Sequence, residues 1–313
     1  MSSAPDPAIE QRLQNHELSV AVIAVTWNRK QDLLNAIASL KQQTYPVDQI
    51  IVADNGSSDG TVETLRETHP EVLVVELDEN LGACRGRNAA TRRATTDLVY
   101  YIDDDITLES DCVREMVRAF LEYPGVGAVL NTIVDPWDGP DKGGDAIPRY
   151  CPHPREGALG VRLKLLSPDP WPDHFNRQGE GPWIALHLYD KGYETVFWGA
   201  GRANHHCAPG GQRERVLFFF SRNSVLTYYQ LFPLRWLPLM VPYKALRPLL
   251  NVRRPIDLMN WLRAMGSCLR LILSGKAPRR PLTSGAVRRY FRALKHRGEA
   301  VPTEAMGKGM WGA

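Results

Sequence analysis

The sequence has little cysteine and no paired cysteine motif. Its 313 residues include five cysteines, an odd number, and they are widely spaced without any Cys-x-x-Cys pair. This usage argues against a secreted protein built on a disulfide framework and favours a reduced chain in the cytoplasm.

Long apolar runs and targeting features are also missing. No segment offers about 18 uninterrupted apolar residues, so we expect no membrane-spanning helix. The first residues, MSSAPDPAIEQRLQNHE, lack the basic and apolar regions of a signal peptide. A cytoplasmic location is the resulting expectation.

Two common nucleotide-binding motifs are absent. Neither Gly-x-Gly-x-x-Gly nor Gly-x-x-x-x-Gly-Lys-Ser/Thr occurs in the sequence. Their absence argues against a dinucleotide-dependent dehydrogenase and against a P-loop ATPase.

What the sequence does contain is an uneven distribution of charge. The net charge is only +3, yet residues 213–297 hold 18 Lys and Arg residues against 2 Asp and Glu residues. This basic third also mixes Phe, Trp, Tyr and Leu with its cations. It predicts contact with an anionic partner, and peripheral contact at the inner face of the cell membrane is one interpretation. A helical subdomain packed on the sheet, or a homodimer surface, is the alternative. A nucleic-acid surface is disfavoured because no recognition motif accompanies the charge.

The first 134 residues alternate short apolar runs with amphipathic segments. Because the runs are apolar at successive positions, they predict strands buried on both faces of a mostly parallel sheet, with helices on both faces. The predicted strands cover Val20–Thr26, Gln49–Ala53, Val72–Glu76, Asp97–Ile102 and residues 125–134. Residues 135–178 are rich in Pro, Gly and Asp and predict a long functional loop. Residues from Glu214 onward predict helices.

Polar residues follow four of these strands where each one ends. In open sheets of this kind, ligands bind beyond the carboxyl ends of the strands, so these residues are expected to converge on one site. They are Asn28, Asp54, Asn55, Asp78, Asn80 and Asp103–Asp105.

The three consecutive carboxylates Asp103, Asp104 and Asp105 repel one another unless a cation or hydrogen-bond donors compensate. After a buried strand they predict a site for a hard divalent cation, although a surface turn that caps a helix would also use Asp. His205 and His206 follow a later predicted strand and could supply a third ligand, act as a base, or be ordinary loop residues.

Three loops offer groups that could bind a nucleotide. VTWNR and ADNGSSDG place Asn, Asp and Ser where they could bind a base or ribose, although these residues also favour ordinary turns. NLGACRGRNAA opens a helix and could present backbone N–H groups and two arginines to phosphate.

The order and spacing of VAVIAVTWNR, IIVADNGSSDGT, NLGACRGRNAA and YYIDDDI resemble the family 2 glycosyltransferases of GT-A fold. The resemblance is specific over Val20–Ile106 and weaker through His206. It implies transfer of a sugar from a nucleoside diphosphate to an acceptor hydroxyl, with Mg²⁺ or Mn²⁺ and inversion at the anomeric carbon. UDP is the usual carrier in this family, with GDP and dTDP as alternatives. A lipid-linked acceptor or a cell-envelope glycan would suit the basic region.

The resemblance also implies roles for particular residues. Asp103 and Asp104 would face ribose and sugar, Asp105 would hold the metal, and His206 or its neighbour His205 would be the later metal ligand. The remaining donor-site residues would be Thr26, Asn28, Arg29, Asp54, Asn55, Gly82, Arg87 and Asn88.

The sequence departs from the family at the expected catalytic base. The usual Glu-Asp-x-Asp pattern is replaced by Glu180-Gly181-Pro182-Trp183, so Gly181 occupies the usual position of the base. Glu180, or Asp173 from the loop, is then the candidate base. Trp183 could stack on an acceptor or pack in the core. The family's Gly-Gly-Phe-Asp segment is poorly matched by PDHFNRQGE.

The predicted organisation has four parts, and two other functions remain open. A non-catalytic relative that binds a nucleotide sugar would explain Gly181, and a sugar nucleotidyltransferase would share the fold but normally carries a Gly-rich basic loop that TWNRKQD lacks. The parts are a flexible N-terminus (1–17), a GT-A domain (18–212, with a nucleotide half 18–134 and an acceptor and metal half 135–212), a basic helical region (213–298) and a disordered tail (299–313).

Overall fold

A computed structural model describes residues 6–136, 144–206 and 213–306. Its first half has the alternation of strands and helices that the sequence predicts. In this half, the polar residues that end each strand come just before the helix that follows. The elements are β1 (Val20–Thr26), α2 (Lys30–Leu40), β2 (Gln49–Asp54), α3 (Thr61–Thr68), β3 (Leu73–Glu76), α4 (Ala83–Thr91) and β4 (Leu98–Asp103).

The second half completes a single mixed sheet. Its elements are β5 (Ile106–Leu108), α5 (Cys112–Glu122), β6 (Val126–Val134), β7 (Arg149–Tyr150), β8 (Ala158–Arg162), α6 (Gly181–Asp190) and β9 (Glu194–His205). The strand order is β3-β2-β1-β4-β8-β6-β9-β5, and β7 pairs with β9. The strands β1 to β4 are parallel to one another, whereas β8 is antiparallel to both of its neighbours. The parallel sheet predicted from the sequence therefore describes the first half, and the second half is mixed.

Strand β8 lies where the sequence predicts only a loop. It is buried in the middle of the sheet, between β4 and β6. Gly160 at its centre weakens the strand signal, since glycine has no side chain to pack. The structure shows why glycine is there, because a Cβ at Gly160 would lie 2.7 Å from the Met116 side chain. The expectation of a structureless segment over 135–178 is wrong for this part.

The sequence predicts a flexible N-terminus over residues 1–17, but part of this segment is ordered in the structure. Residues 7–14 form helix α1 (Pro7–Gln14), which buries Ile9 and Leu13. Glu10 of this helix forms ion pairs with Arg114 and Arg118 of α5. This correction holds for the described part of the segment, and residues 1–5 lie outside it.

The basic C-terminal region is helical, as predicted. Helices α8 (Leu237–Leu246) and α9 (Pro255–Leu273) pack on α7 (Arg213–Leu231), and α10 (Ser284–Lys295) packs on α6. The carboxylate of Glu194 in β9 is buried and forms ion pairs with Arg289 and Arg292 of α10, which fasten the region to the sheet. Among the described helices, none is long and apolar enough to cross a membrane. The helices of the basic C-terminal region and the residues after it are α7 (Arg213–Leu231), α8 (Leu237–Leu246), α9 (Pro255–Leu273), α10 (Ser284–Lys295) and α11 (Thr303–Met306).

The start of the predicted tail (299–313) is ordered, contrary to the expectation from the sequence. The carbonyl of Glu299 accepts a hydrogen bond from the Tyr150 amide at 3.0 Å, and Val301 donates to the Pro148 carbonyl at 2.8 Å. Val301 is also buried. Residues 299–301 are thus ordered against the sheet, and residues 307–313 lie outside the described part.

Candidate functional site

The carboxyl ends of the parallel strands open into one cleft of about 610 Å³. The register explains the convergence, since Thr26 at the end of β1 lies opposite Asp54 of β2, and Val25 lies opposite Asp103 of β4. Of the residues predicted from the sequence, the cleft is lined by Thr26, Arg29, Asn55, Asn80, Gly82, Arg87, Asp103, Asp104, Asp105, Glu180 and His205.

Strand pairing brings a histidine to the three aspartates. Asp104 and Asp105 form the turn between β4 and β5, and β5 runs antiparallel to β9 with Ile106 opposite His205. The imidazole Nε2 of His205 lies 3.3 Å from Oδ1 of Asp105. Asp103, Asp105 and His205 each offer a ligand atom, and these atoms lie within 4.8 Å of one another. Two carboxylates and one imidazole form a donor set that can hold a divalent cation.

Of the two neighbouring histidines, only His205 lies in this cleft. Successive side chains on a strand point to opposite faces, which separates the two. Nε2 of His206 shares a hydrogen bond of 2.7 Å with the Thr107 hydroxyl, and its side chain is exposed. The structure therefore favours His205 over His206 as the candidate ligand.

Asp135 holds the His205 ring in place, and the sequence interpretation missed it. Its Oδ1 lies 2.5 Å from Nδ1 of His205, and its carboxylate also accepts from Arg155 at 2.7 Å. A carboxylate on one imidazole nitrogen orients the other nitrogen, as is common behind metal-bound histidines. Asp135 directly follows β6, so the rule that found the other polar residues at strand ends could have found it.

Arg29 supplies positive charge to the same turn. Its guanidinium Nη1 lies 2.8 Å from Oδ2 of Asp105 and 3.6 Å from Oδ1 of Asp104. Burial raises the pKa of Asp104 to about 7, although Arg29 and a 2.9 Å hydrogen bond from the Thr26 hydroxyl oppose this. Burial also acts on Asp105, but His205 and Arg29 outweigh it and lower the pKa of that carboxyl. Asp105 is thus the more readily ionised of the two.

A buried arginine links the aspartates to a second acidic group. Arg87 of α4 donates from Nη2 to Oδ1 of Asp103 at 3.0 Å, and its Nη1 lies 3.8 Å from Oε1 of Glu180. Its guanidinium also lies over the Trp171 ring, 5.1 Å from the centroid. One guanidinium therefore pairs with both the predicted base and one of the three aspartates.

Glu180 has a carboxylate neighbour that the sequence did not indicate. Glu156 lines the same cleft, and it lies in a loop with no periodic signal. Burial raises the pKa of both carboxyls, and the charge of Glu180 raises that of Glu156 further. Within the described residues, Oε2 of Glu180 has no hydrogen-bond partner. A buried acceptor without a partner is costly, so a hydrogen-bond donor from a ligand would stabilise this carboxyl oxygen.

The geometry accounts for Gly181 at the usual position of the base. A Cβ on Gly181 would lie 1.7 Å from the carbonyl oxygen of Pro154, and 3.1 Å from Oε1 of Glu156. The segment 154–156 thus fills the space that an aspartate side chain at this position would need. A carboxylate from that segment, Glu156, reaches the position instead.

Three predicted donor-site residues hold loops rather than line the cleft. The carbonyl oxygen of the Asn28 side chain accepts from the Ser58 amide at 2.7 Å, and Asp54 accepts from the Ser57 amide at 2.8 Å. Asn88 donates to the Trp171 carbonyl at 2.8 Å. Gly82, which does line the cleft, has φ +84° and packs so tightly that a Cβ would lie 2.9 Å from the Asn176 side chain.

The structure places Asp173 and Trp183 at a different cavity. This neighbouring cavity of about 510 Å³ is lined by both residues and by Lys276 and Arg280. Asp173 accepts from Asn88 at 3.0 Å, and Trp183 is buried with its ring centroid 5.1 Å from that of His187. Neither lines the carboxylate cleft, so Glu180 is better placed than Asp173 to be the base.

Comparison with known proteins relates the segment that carries the three aspartates to a known family. A family model described as glycosyl transferase family 2 matches residues 21–163. The match covers less than half of the chain. The matched segment contains β1 from Ala21 onward, β2 to β4, the three aspartates and Glu156.

Curated relatives agree with the family but match only part of their own length. An uncharacterized glycosyltransferase, YfnE of Bacillus subtilis, is 34% identical over 105 residues, which cover 33% of this chain and 27% of YfnE. A poly-beta-1,6-N-acetyl-D-glucosamine synthase of Staphylococcus epidermidis is 26% identical over 112 residues, covering 35% and 27%. The teichuronic acid biosynthesis glycosyltransferase TuaG of B. subtilis, itself described as putative, is 28% identical over 113 residues, covering 35% and 45%. The chain thus matches less than half of each relative.

Solved structures extend the similarity of fold over most of the chain. The mannosyltransferase PcManGT from Pyrobaculum calidifontis, in complex with GDP-Man and Mn²⁺, has a TM-score of 0.57 at 20% identity, covering 94% of this chain and 87% of that one. GalNAc-T7 with UDP, GalNAc and Mn²⁺ has a TM-score of 0.60 at 12% identity, covering 87% and 67%. The fold is GT-A, as the sequence predicts.

Proposed function

We propose that this protein is a metal-dependent, inverting glycosyltransferase that moves a sugar from UDP to an acceptor hydroxyl. The observation that carries the proposal is the meeting of Asp103, Asp105 and His205 with two arginines in one cleft at the strand ends. The two similar solved structures, each a complex with Mn²⁺ and a nucleotide or nucleotide sugar, support it.

The donor set fits Mg²⁺ or Mn²⁺. Carboxylate oxygens are the ligands that these cations prefer, and one imidazole is compatible with Mn²⁺. Asp103, Asp105 and His205 would hold the ion, with Asp135 orienting the His205 ring. A bound cation would neutralise the negative charge that develops on the leaving nucleoside diphosphate.

The chain's own residues would bind and orient the donor. Arg29 and Arg87 carry positive charge into the cleft and would pair with phosphate oxygens. Thr26 and Asn55, at the ends of β1 and β2, face the same cleft and would contact the nucleoside. UDP is the carrier we propose, and GDP and dTDP are the competing carriers that binding experiments must separate.

Glu180 would take the proton from the acceptor hydroxyl. The acceptor oxygen forms its bond to the anomeric carbon as the bond from that carbon to the diphosphate oxygen breaks, and the electron pair leaves with the diphosphate. The acceptor proton passes to Oε2 of Glu180, the atom without a partner among the described residues. A base on the face opposite the leaving group gives inversion. Glu156, close enough to influence the same proton, is the second candidate for this role.

The names of the relatives suggest the acceptor class. One is a poly-beta-1,6-N-acetyl-D-glucosamine synthase, and another is assigned to teichuronic acid biosynthesis. We therefore propose a cell-envelope glycan or a lipid-linked precursor as the acceptor. Peripheral contact with the inner face of the membrane belongs to the same proposal, because such acceptors are found there.

The direct test is turnover of the full chain with nucleotide sugars. UDP-, GDP- and dTDP-sugars would be incubated with Mn²⁺ and a panel of oligosaccharide and lipid-linked acceptors, and nucleoside diphosphate release and product anomer would be measured. We expect UDP release, an inverted product and loss of both with EDTA. Pyrophosphate release from a nucleoside triphosphate and a sugar phosphate would instead identify a nucleotidyltransferase. Metal-dependent donor binding without turnover would identify a non-catalytic relative.

A further inference from the structure

Helix α9 has two contrasting faces. The residues that it buries against the rest of the protein are Asp257, Asn260, Ala264 and Cys268, three or four positions apart. The opposite side of the helix is apolar, yet it faces solvent. Its exposed side chains are Leu258 (44%), Met259 (46%), Leu262 (56%), Leu269 (57%) and Leu273 (77%).

Helix α8 and its flanking turns extend this apolar surface. The indole Nε1 of Trp261 in α9 donates to the Ala245 carbonyl in α8 at 2.6 Å, which joins the two helices. Of the 14 large apolar side chains exposed in the described part of the chain, ten lie between Leu234 and Leu273, whereas exposed apolar residues on soluble proteins are usually scattered singly. The contributors outside α9 are Leu234, Leu239, Tyr243, Leu246 and Leu250.

The charge of this surface has one sign. Residues 234–276 contain eight Lys and Arg residues and one acidic residue, Asp257. Asp257 is buried and accepts from the Arg254 guanidinium at 2.9 Å, so it presents no negative charge to solvent. Arg235, Arg263 and Arg270 are exposed among the leucines. We call the surface formed by α8, α9 and the turns beside them the apolar–basic face.

We propose that the apolar–basic face docks on the surface of an anionic lipid bilayer, with α8 and α9 lying in the plane of the interface. Exposed leucines would enter the boundary between headgroups and acyl chains, and the arginines would extend their charged ends to lipid phosphates. A second copy of the chain fits less well, because it would bring two surfaces of the same charge together. This inference assigns a surface to the membrane contact proposed above, and the vesicle experiment tests it without any sugar transfer.

The face lies next to the candidate active site. Lys244 of α8 lines a small cavity of about 170 Å³ together with Phe220 of α7. Phe220, Arg155 and Glu156 line both this cavity and the carboxylate cleft. A bilayer under α8 would therefore lie near the part of the cleft that Phe220 and Glu156 line. That an acceptor enters there rests on the proposed transfer.

The experiment is flotation of the full chain with lipid vesicles. Vesicles of phosphatidylcholine alone would be compared with vesicles that contain about 30 mol% phosphatidylglycerol, at low and high salt. We expect the chain to float with the anionic vesicles at low salt, and to bind neutral vesicles at least about tenfold less. No flotation with anionic vesicles would overturn the proposal.

Variants test whether the apolar–basic face, rather than nonspecific adsorption, is responsible for vesicle binding. The double variant Leu262→Asp/Leu269→Asp should reduce flotation by about tenfold or more, because it removes apolar contact and adds negative charge. Leu73→Asp is the matched control, since Leu73 is also exposed, at 44%, but lies on the edge strand β3. Circular dichroism would verify that all variants fold. An equal loss of flotation in Leu73→Asp and in the double variant would refute the assignment. A natural chain that does not bind vesicles, but forms concentration-dependent dimers that the double variant abolishes, would also refute it.

Discussion

Restoring the family's usual aspartate at position 181 should damage this protein rather than improve it. A Cβ at Gly181 would lie 1.7 Å from the Pro154 carbonyl oxygen. Carbon and oxygen atoms that are not bonded approach to about 3.3 Å at closest, so the variant Gly181→Asp requires a displacement of about 1.6 Å. That displacement must move the start of α6 or the segment 154–156, and these carry Glu180 and Glu156.

Two magnitudes follow from this displacement. A misplacement of about 1 Å at a catalytic group can cost about 10²-fold in rate, so we expect transfer to fall at least that far. Overpacking of this kind costs about 1–3 kcal/mol, which corresponds to a melting temperature lower by roughly 1.5–5 °C for a chain of this size. Donor binding should change little, because Asp103, Asp105 and His205 are on other elements.

The assay pairs transfer rate with thermal unfolding and calorimetric donor binding. Gly266→Ala is the matched control, since no atom lies within 4 Å of a Cβ at Gly266 and alanine is favoured over glycine inside a helix. We expect that control to fold and bind donor like the natural chain. A Gly181→Asp variant with unchanged stability and equal or higher turnover would refute the reasoning, and would show that segment 154–156 does not replace the missing aspartate.

Three further predictions concern the same cleft. His205→Ala should weaken Mn²⁺-dependent UDP binding by about tenfold or more, whereas His206→Ala should leave it near normal, because only His205 faces Asp105. Calorimetry would compare the two variants, and equal effects on UDP binding would contradict the assignment of His205. Glu180→Gln should retain donor binding but slow transfer by roughly 10²–10⁴-fold, and near-normal turnover would move the base elsewhere, with Glu156→Gln as the comparison. Because burial raises the pKa of both carboxyls, transfer should be lost as the pH falls through a value above the ordinary glutamate pKa of about 4.3. Glu156→Gln should move the acid limb of the pH–rate profile relative to the natural chain. An unmoved limb would show that the two carboxyls do not interact.

The strand ends were predictable from the sequence because the signal is local. A polar residue that follows a fully apolar run marks the end of a buried strand, and parallel strands end at the same edge of the sheet. Asn55, Asn80 and Asp103 were found in this way, and all three line the cleft. The same rule applied to β6 would have found Asp135.

The remaining features depend on contacts between distant segments. Which of His205 and His206 faces the aspartates is fixed by the pairing of β5 with β9, and sequence alone does not give that register. Glu156 reaches the cleft because its segment packs against Gly181, a contact without any periodic signal. Strand β8 was hidden by Gly160, whose lack of a side chain is required by Met116.

The measurement that tests the central claim most directly is calorimetric binding of UDP, GDP and dTDP, each with and without Mn²⁺, to the natural chain and to Asp105→Ala. We expect UDP to bind in the presence of Mn²⁺, to lose most of its affinity without the ion, and to lose the effect of Mn²⁺ in Asp105→Ala. Tight metal-dependent binding of GDP or dTDP instead would keep the site and change the carrier. Absence of metal-dependent binding for all three diphosphates, or unchanged binding in Asp105→Ala, would contradict the cation-dependent donor site on which the account rests.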